Sequence, residues 1–291
     1  MSAVRLMTEA DVEGAARVQA ASFRDLDKRE GLPVTEMTDA VWQRLFGRLR
    51  HFLTNDPAGS WVATEDDRVI GCALALRRES LWGLSLLVVD PASQSAGAGR
   101  KLLDASLTYA EGCRHAVILS SSDPRAMRSY ATSGFALHPQ VHGVGTPDRA
   151  SLPALHGRVR DGSADDATFA DDIDRAVRGA AHGPDHLRMA TDCPMFVIDD
   201  VDGRGYAYLR PDGEVATLAA TDDESATALL WRCLAHADET GVAATVEHVN
   251  AAQQWAITLS YRARLKVAPS GPVFWRGRTP PPSYLPSGVY L

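Results

Sequence analysis

The 291-residue chain has no run of apolar residues near the roughly 18 to 20 that a membrane helix needs. Its opening residues, Met1-Ser2-Ala3-Val4-Arg5, lack a basic stretch followed by an apolar one, so no secretion signal is expected. Cysteine is scarce: Cys72, Cys113, Cys193 and Cys233 are far apart and show no C-x-x-C spacing. They are expected to be small buried thiols in a reducing cytosol, not disulfides or zinc ligands. The histidines show no metal pattern either. His138 and His142 fall among Gly and Pro, and His182 and His186 straddle Gly183-Pro184, so surface or loop positions are expected and no metal site. Basic runs are also missing. With a net charge of −7, the chain is a poor partner for nucleic acid, whose phosphates demand clustered Lys and Arg.

What is present is the balance of a soluble globular protein, 45% apolar and 23% charged, at a length that suggests two domains. The charge is shared unevenly. Residues 1–150 carry 17 Lys/Arg against 18 Asp/Glu, a net of −1, and the remainder carries 13 against 19, a net of −6. The acidic second half is therefore a poor site for a polyanionic ligand.

Val4-Arg5-Leu6-Met7 reads as a strand, and Thr8 with Asp11 caps a helix running to about Phe23. A second helix, near Thr38 to Leu53, places Val41, Leu45, Phe46, Leu49 and Leu53 on one side. Strands Trp61–Thr64, Val69–Leu76 and Trp82–Val89 follow, the first two joined by the Glu65–Arg68 turn. Then come a helix from Gly97 to Glu111, a strand Ala116–Leu119, and a helix from Asp123 to Ser133 that Gly134 stops. A β-α-β unit after antiparallel strands predicts a mixed α/β sheet. His138 to Gly157 shows no periodicity, and the domain boundary is placed there, giving domains 1–152 and 153–291. The segment Thr279–Leu291 is Pro-rich and expected to be an extended tail.

The segment from Leu87 to Lys101 runs from a strand through a turn of small residues into a helix. Gly97, Ala98 and Gly99 let a ligand approach the backbone, whose unpaired N–H groups and helix dipole make an anion site suited to a pyrophosphate. Arg100 and Lys101 would add charge at its rim. The spacing is neither that of a dinucleotide fold nor that of a P-loop. Leu87, Val89, Pro91, Gln94, Gly97 and Gly99 instead fall in register with Leu-x-Val-x-Pro-x-x-Gln-x-x-Gly-x-Gly. In this the chain resembles the GNAT superfamily of N-acetyltransferases. A second motif agrees: Asp123 stands where that family usually has Asn, followed by Tyr130 and Gly134-Phe135. The resemblance spans roughly residues 3 to 137.

It implies a GNAT fold, with a mixed, mostly antiparallel sheet in which the parallel pair Trp82–Val89 and Ala116–Leu119 splays apart. It further implies acetyl-CoA as co-substrate, held by Leu87, Val88, Val89, Gln94, Ser95, Ala96, Gly97, Ala98, Gly99, Arg100 and Asp123, the last opening the second helix. Backbone groups of Leu87 and Val89 would pair with the pantetheine arm like an extra strand. The N–H near Val89 would hold the oxyanion formed by an attacking amine, and Tyr130 would protonate the departing thiolate. No base is assigned. Glu79 reads more readily as a turn residue, Asp25, Asp27 and Glu30 as acceptor-pocket residues or a solvated run, and Ser121 and Ser122 as groups that could orient a water. The acceptor is expected to be a small-molecule or peptide amine, and the protein a cytoplasmic monomer or homodimer. A second reading stays open, that of a module which binds acetyl-CoA as a signal, because Asp123 departs from the motif.

The second half repeats the first faintly. A shift of 127 positions lays Leu102 and Leu103 on Leu229 and Leu230, Leu107 on Leu234, Ala110 on Ala237, Val88 on Val215 and Asp123 on Asn250. The chemical positions do not survive: Gln94 falls on Thr221, Gly97 on Glu224, Gly99 on Ala226 and Tyr130 on Ile257. Thr221-Asp222-Asp223-Glu224 puts three carboxylates at a helix start, which suits the dipole and repels a pyrophosphate. A duplicated fold with one silent copy is expected.

Overall fold

In the computed structural model, which describes residues 2–31, 33–94, 97–151 and 158–291, strand β1 (Ala3–Leu6) leads into helix α1 (Val12–Glu30). This helix outruns its expected end near Phe23. Between Phe23 and Gly31 Leu26 is the single apolar residue, which sets no apolar period, but the Asp25–Arg29 ion pair spans one helical turn there. Gly31, left-handed at φ 69°, then ends the helix, its N–H bonding the carbonyls of Asp27 and Lys28. Helix α2 (Asp39–Asn55) begins at Thr38, whose hydroxyl accepts from the Val41 N–H, and buries Leu49 and Phe52. Strands β2 (Ser60–Glu65), β3 (Arg68–Arg78) and β4 (Leu81–Val89) follow in the order β1-β2-β3-β4. Helix α3 (Ala98–Thr108) buries Leu102, Leu103 and Ser106. One compact unit is made of Met1–Arg77 and Trp82–Cys113, and a second of Arg78–Leu81 and Arg114–Leu291. This division by contact falls elsewhere than the expected boundary at 152/153, which lies outside the described residues.

The second unit holds β5 (His115–Leu119), α4 (Pro124–Thr132), β6 (Ala136–Gly145), β7 (Arg160–Gly162), α5 (Ala167–Val177) and α6 (Pro184–Asp192). It continues through β8 (Met195–Asp199), β9 (Arg204–Leu209), β10 (Val215–Ala220), α7 (Asp223–Glu239), β11 (Ala244–Asn250), α8 (Gln254–Arg262), β12 (Lys266–Arg276) and β13 (Tyr284–Leu285). Within it one run of strands has the order β5-β12-β6-β11 and the other β13-β10-β9-β8-β7. Helix α7 buries Leu229, Leu230, Cys233 and Leu234 in a core with Phe196, Ile198, Ala207 and Leu218. Of the four equivalences, Leu102 and Leu103 are buried in α3 as Leu229 and Leu230 are in α7, whereas Leu107 is half-buried and Ala110 is buried just beyond the end of α3.

Two expectations need correction. The stretch after His138 is not an irregular boundary, because most of its first half belongs to β6. Its Pro and Gly residues hide the period of two, and long-range partners on both sides satisfy its backbone instead. Residues 136–138 of β6 pair with 273–275 of β12, while 140–144 pair with 266–270 of β12 and, on the other side, with β11. Strand β12 mirrors this arrangement, its residues 273–276 pairing with 116–119 of β5. Each strand thus serves both copies. The ungapped repeat also fails at the strand before the helix: Val88 is near the end of β4, whereas Val215 begins β10. In the first copy residues 90–97 separate strand from helix, and in the second only 221–222 do. The connection from strand to helix is therefore shorter in the second half, as well as different in sequence.

Where β12 passes from one copy's pairing to the other's it bulges between Ser270 and Val273. A Cβ on Gly271 would lie 1.9 Å from the carbonyl oxygen of Ser120. Gly271→Ala should therefore pry β12 off the end of β5 and cost about 2 kcal/mol or more. The denaturant midpoint reads this, and a midpoint equal to that of the natural protein would refute the close approach.

Candidate active site

Gly97 is the N-cap of α3, left-handed at φ 82°, and no side chain caps the helix start. A Cβ on Gly97 would meet nothing within 4 Å, and one on Gly99 would meet only the Val89 side chain at 3.6 Å, an ordinary contact. The chain's own packing therefore does not require glycine at 99, and the helix opens on N–H groups of Ala98, Gly99 and Arg100 that precede any intrahelical partner. That arrangement suits the approach of an anion. The carbonyl of Val89, at the end of β4, accepts from the Gln94 side chain at 3.2 Å and from the Ser22 hydroxyl of α1 at 3.0 Å. Gln94 thus folds back to pin the loop to its strand, and Ser22 ties α1 to the same point. Leu87, Val88 and Val89 are half-buried along β4. Arg100 is exposed and pairs with Asp104 one turn on, and Lys101 reaches the Ser2 carbonyl, so both are engaged along the surface. Ser95 and Ala96 lie outside the described residues.

Asp123 and Tyr130 are both on α4, in the second unit. Asp123 is the N-cap, accepting the Arg125 N–H at 2.8 Å and pairing with the Arg125 guanidinium at 2.6 Å. It performs the capping task that Asn would, so the departure from the motif leaves the helix intact. Tyr130 is buried, 5% exposed, and its ring meets that of Phe274 edge-on at 5.5 Å. Burial, helped by the charge of Asp123, raises its phenol well above the usual range, so it keeps its proton at physiological pH. Gly134, left-handed at φ 84°, lies just past the helix, as its place in the motif suggests. Glu79 occupies the turn between β3 and β4 at φ 51° and pairs with Arg175 at 2.8 Å, which favours the turn reading over a base.

A cavity of about 170 Å³ lies between α1, α2 and the segment joining them, in the first unit. Gln19, Phe23, Asp27, Val34, Met37 and Leu45 are among the residues that line it. The Oε1 of Gln19, a buried residue, has no hydrogen-bond partner among the described residues. Burial, with Glu30 nearby, raises the carboxyl of Asp27. The cavity is lined mainly by apolar side chains, with Gln19, Arg24 and Asp27 among its polar groups. Of the three acids weighed from sequence, Asp27 alone lines it, because all three lie on α1 and not in a loop, and Asp25 is paired with Arg29.

Residues 29–142 match the family profile of the acetyltransferase (GNAT) domain. The chain accordingly carries a GNAT acetyltransferase domain, and its architecture is the α/β GNAT fold with a mixed sheet. A Pyrococcus horikoshii protein named as an acetyltransferase superposes over 99% of this chain and 95% of its own, with a TM-score of 0.76 at 14% identity. A GCN5-related N-acetyltransferase from Sphaerobacter thermophilus covers 96% of both chains with a TM-score of 0.60 at 14% identity. One from Kribbella flavida covers 95% of this chain and 71% of its own, with a TM-score of 0.60 at 16% identity. At these identities the likeness establishes the fold. Among curated proteins, none matches this chain in sequence.

The second copy is chemically different. Asp222 caps α7, accepting the Ser225 N–H at 2.7 Å, so the donors left open at Gly97 have a carboxylate partner here. Glu214, just before β10, bridges Thr245 of β11, and farther on the edge of β10 pairs with β13. The segment after Thr279 is thus docked. Gln253 and Trp255 donate to the carbonyls of Pro281 and Pro282, Thr217 donates to that of Leu285, and Tyr284, Leu285 and Tyr290 are buried. His182 and His186 correct the expectation of surface histidines, since both are fully buried. Pro184 starts α6, which turns both rings inward onto Asp174 of α5. The carboxylate of Asp174 accepts from His182 Nδ1 at 2.6 Å, His186 Nε2 at 2.9 Å and the Tyr206 hydroxyl at 2.6 Å. These three side chains form a group that could hold a metal ion, yet two ligands of one ion sit roughly 3.4 Å apart. The observed separations are those of hydrogen bonds, which together satisfy a buried carboxylate.

Burial, with Arg178 nearby, lowers His182 to about 4, and burial lowers His248 of β11 to about 4. In the unfolded chain both take up protons below about pH 6.5, whereas in the folded protein they do so only near 4. The unfolded state therefore binds more protons across that window, and stability falls as pH drops from 6.5 to 4 by an amount on the order of a few kcal/mol. Thermal midpoints measured across those pH values check this. A flat profile would contradict neutral, buried histidines.

Proposed function

We propose that the chain is an N-acyltransferase that moves an acetyl or related short acyl group from acetyl-CoA to a primary amine. Residues 1–152 form the catalytic copy, and 153–291 a degenerate copy that binds no coenzyme A. The observation that carries this reading is the uncapped helix start at Gly97–Gly99, set in the GNAT spacing from Leu87 onward. The pyrophosphate would lie on the N–H groups of Gly97, Ala98, Gly99 and Arg100, and the pantetheine arm along the backbone of Leu87 to Val89. Ser22 and Gln94 hold the carbonyl of Val89, which keeps the end of β4 in place. The amine nitrogen attacks the thioester carbon, and the oxyanion is held by the N–H near Val89. As the C–S bond breaks, the thiolate takes the proton of Tyr130, while the amine proton leaves to solvent. The raised phenol is protonated before the step, so in this reading it can serve as a donor and not as a base.

The cavity between α1 and α2 supports an acceptor with a cationic amine and an apolar body, with Gln19 and Asp27 receiving its N–H groups. Four free cysteines fit a reducing, cytosolic setting.

Thiol release from acetyl-CoA over a panel of amines tests the reading. Transfer is expected for apolar primary amines, with kcat reduced roughly 100-fold in Tyr130→Phe. Asp27→Asn should lower kcat/KM for cationic acceptors about tenfold and leave the KM of acetyl-CoA in place. Binding of acetyl-CoA without release on any amine would replace the enzyme with the sensor module.

A further inference from the structure

Phe274 belongs to β12, which lies in the second half of the sequence, yet its residues 273–276 pair with β5 of the first copy. The opposite edge of the same residues pairs with β6, so this end of β12 is hydrogen-bonded on both sides. Phe274 is fully buried, and its ring lies at 71° to that of Tyr130, with 5.5 Å between centroids. Two positions on, Arg276 lies over the ring of Phe135, which immediately follows the turn that ends α4. The face of β12 carrying Phe274 and Arg276 therefore supports α4 at the Tyr130 ring and again just past its C-terminal end. An edge-on aromatic contact restricts a ring's orientation as well as burying it. A phenol that must deliver its proton to one atom depends on that orientation.

We propose that Phe274 is a positioning residue for Tyr130, delivered to the catalytic copy by the second copy through β12. The proposal rests on the acid role given to Tyr130 above, and it gives the silent copy a task that needs no ligand. The strand is anchored at its far end as well. Residues 266–270 pair with β6, and the segment that follows β12 docks along β10. Phe274 is thus fixed from both directions along its own chain.

The test is a double-mutant cycle on kcat in the full-length chain, using Phe274→Leu, Tyr130→Phe and the pair together. Phe274→Leu is expected to lower kcat about tenfold with the KM of acetyl-CoA within about twofold, and to have no further effect in the Tyr130→Phe background. Full kcat in Phe274→Leu, or an equal drop in both backgrounds, overturns the proposal. Thermal midpoints show whether each variant folds, and Phe274→Met, closer in volume, replaces Phe274→Leu if that one does not. A second readout separates this proposal from the acid reading. In protein labelled with 13C at the tyrosine rings, the Tyr130 signal is assigned by its loss in Tyr130→Phe. That signal should shift and broaden in Phe274→Leu, and an unmoved signal overturns the positioning even if Tyr130 is the acid. If Tyr130→Phe leaves kcat unchanged while the signal moves, the acid reading falls and the positioning stands.

Discussion

Strands β6 and β12 run antiparallel to each other, and each hands part of its length to the other copy's sheet. Much else in the second unit follows from that exchange. Both strands have partners on two sides over part of their length, residues 140–144 of β6 and 273–275 of β12. Two of the three pairings involved have an irregular step: β12 with β6 between Ser270 and Val273, and β11 with β6 between Val246 and Val249, where His248 adopts φ 62°. Bulges at these points let one strand satisfy two registers. A polypeptide folded this way cannot shed its second half without removing a strand from beside β5.

The two halves differ at the start of the helix that follows their central strands. In the first, a long turn ends at Gly97, a left-handed N-cap with no side chain of its own. In the second, the turn is cut to Thr221 and Asp222, and the aspartate side chain takes the donor. The edge of β10 is likewise given to β13. Under the proposed reading, the short turn, the carboxylate and the occupied strand edge would each disfavour a coenzyme in the second half. The fold itself is left whole, consistent with a core that depends on buried Leu, Val and Ala and not on the loop.

Local features were legible in the sequence. The helix start at Gly97, the cap at Asp123 and the stop at Gly134 each depend on residues within a few positions of one another, and each is where the spacing put it. Features that depend on distant partners were not. Strand β6 has Pro139, Gly143 and Gly145 along it and forms because β11 and β12 lie beside it. His182 and His186 flank Gly183-Pro184, a pattern that reads as loop, and only the fold brings Asp174 to them. Phe274 touching Tyr130 leaves no mark on sequence spacing, because the exchange that joins them is a property of topology. The helical reach of α1 was hidden by its polar end, and with it the place of Asp27 on a cavity wall.

The central claim is that a single cradle, at Gly97–Gly99, binds acetyl-CoA. Titration calorimetry with acetyl-CoA tests it most directly, comparing the natural chain with Gly99→Glu, which places a carboxylate where the pyrophosphate would lie. The account predicts one molecule bound per chain and a loss of affinity of roughly 100-fold in the variant. Two molecules per chain, or an affinity untouched by Gly99→Glu, would contradict it.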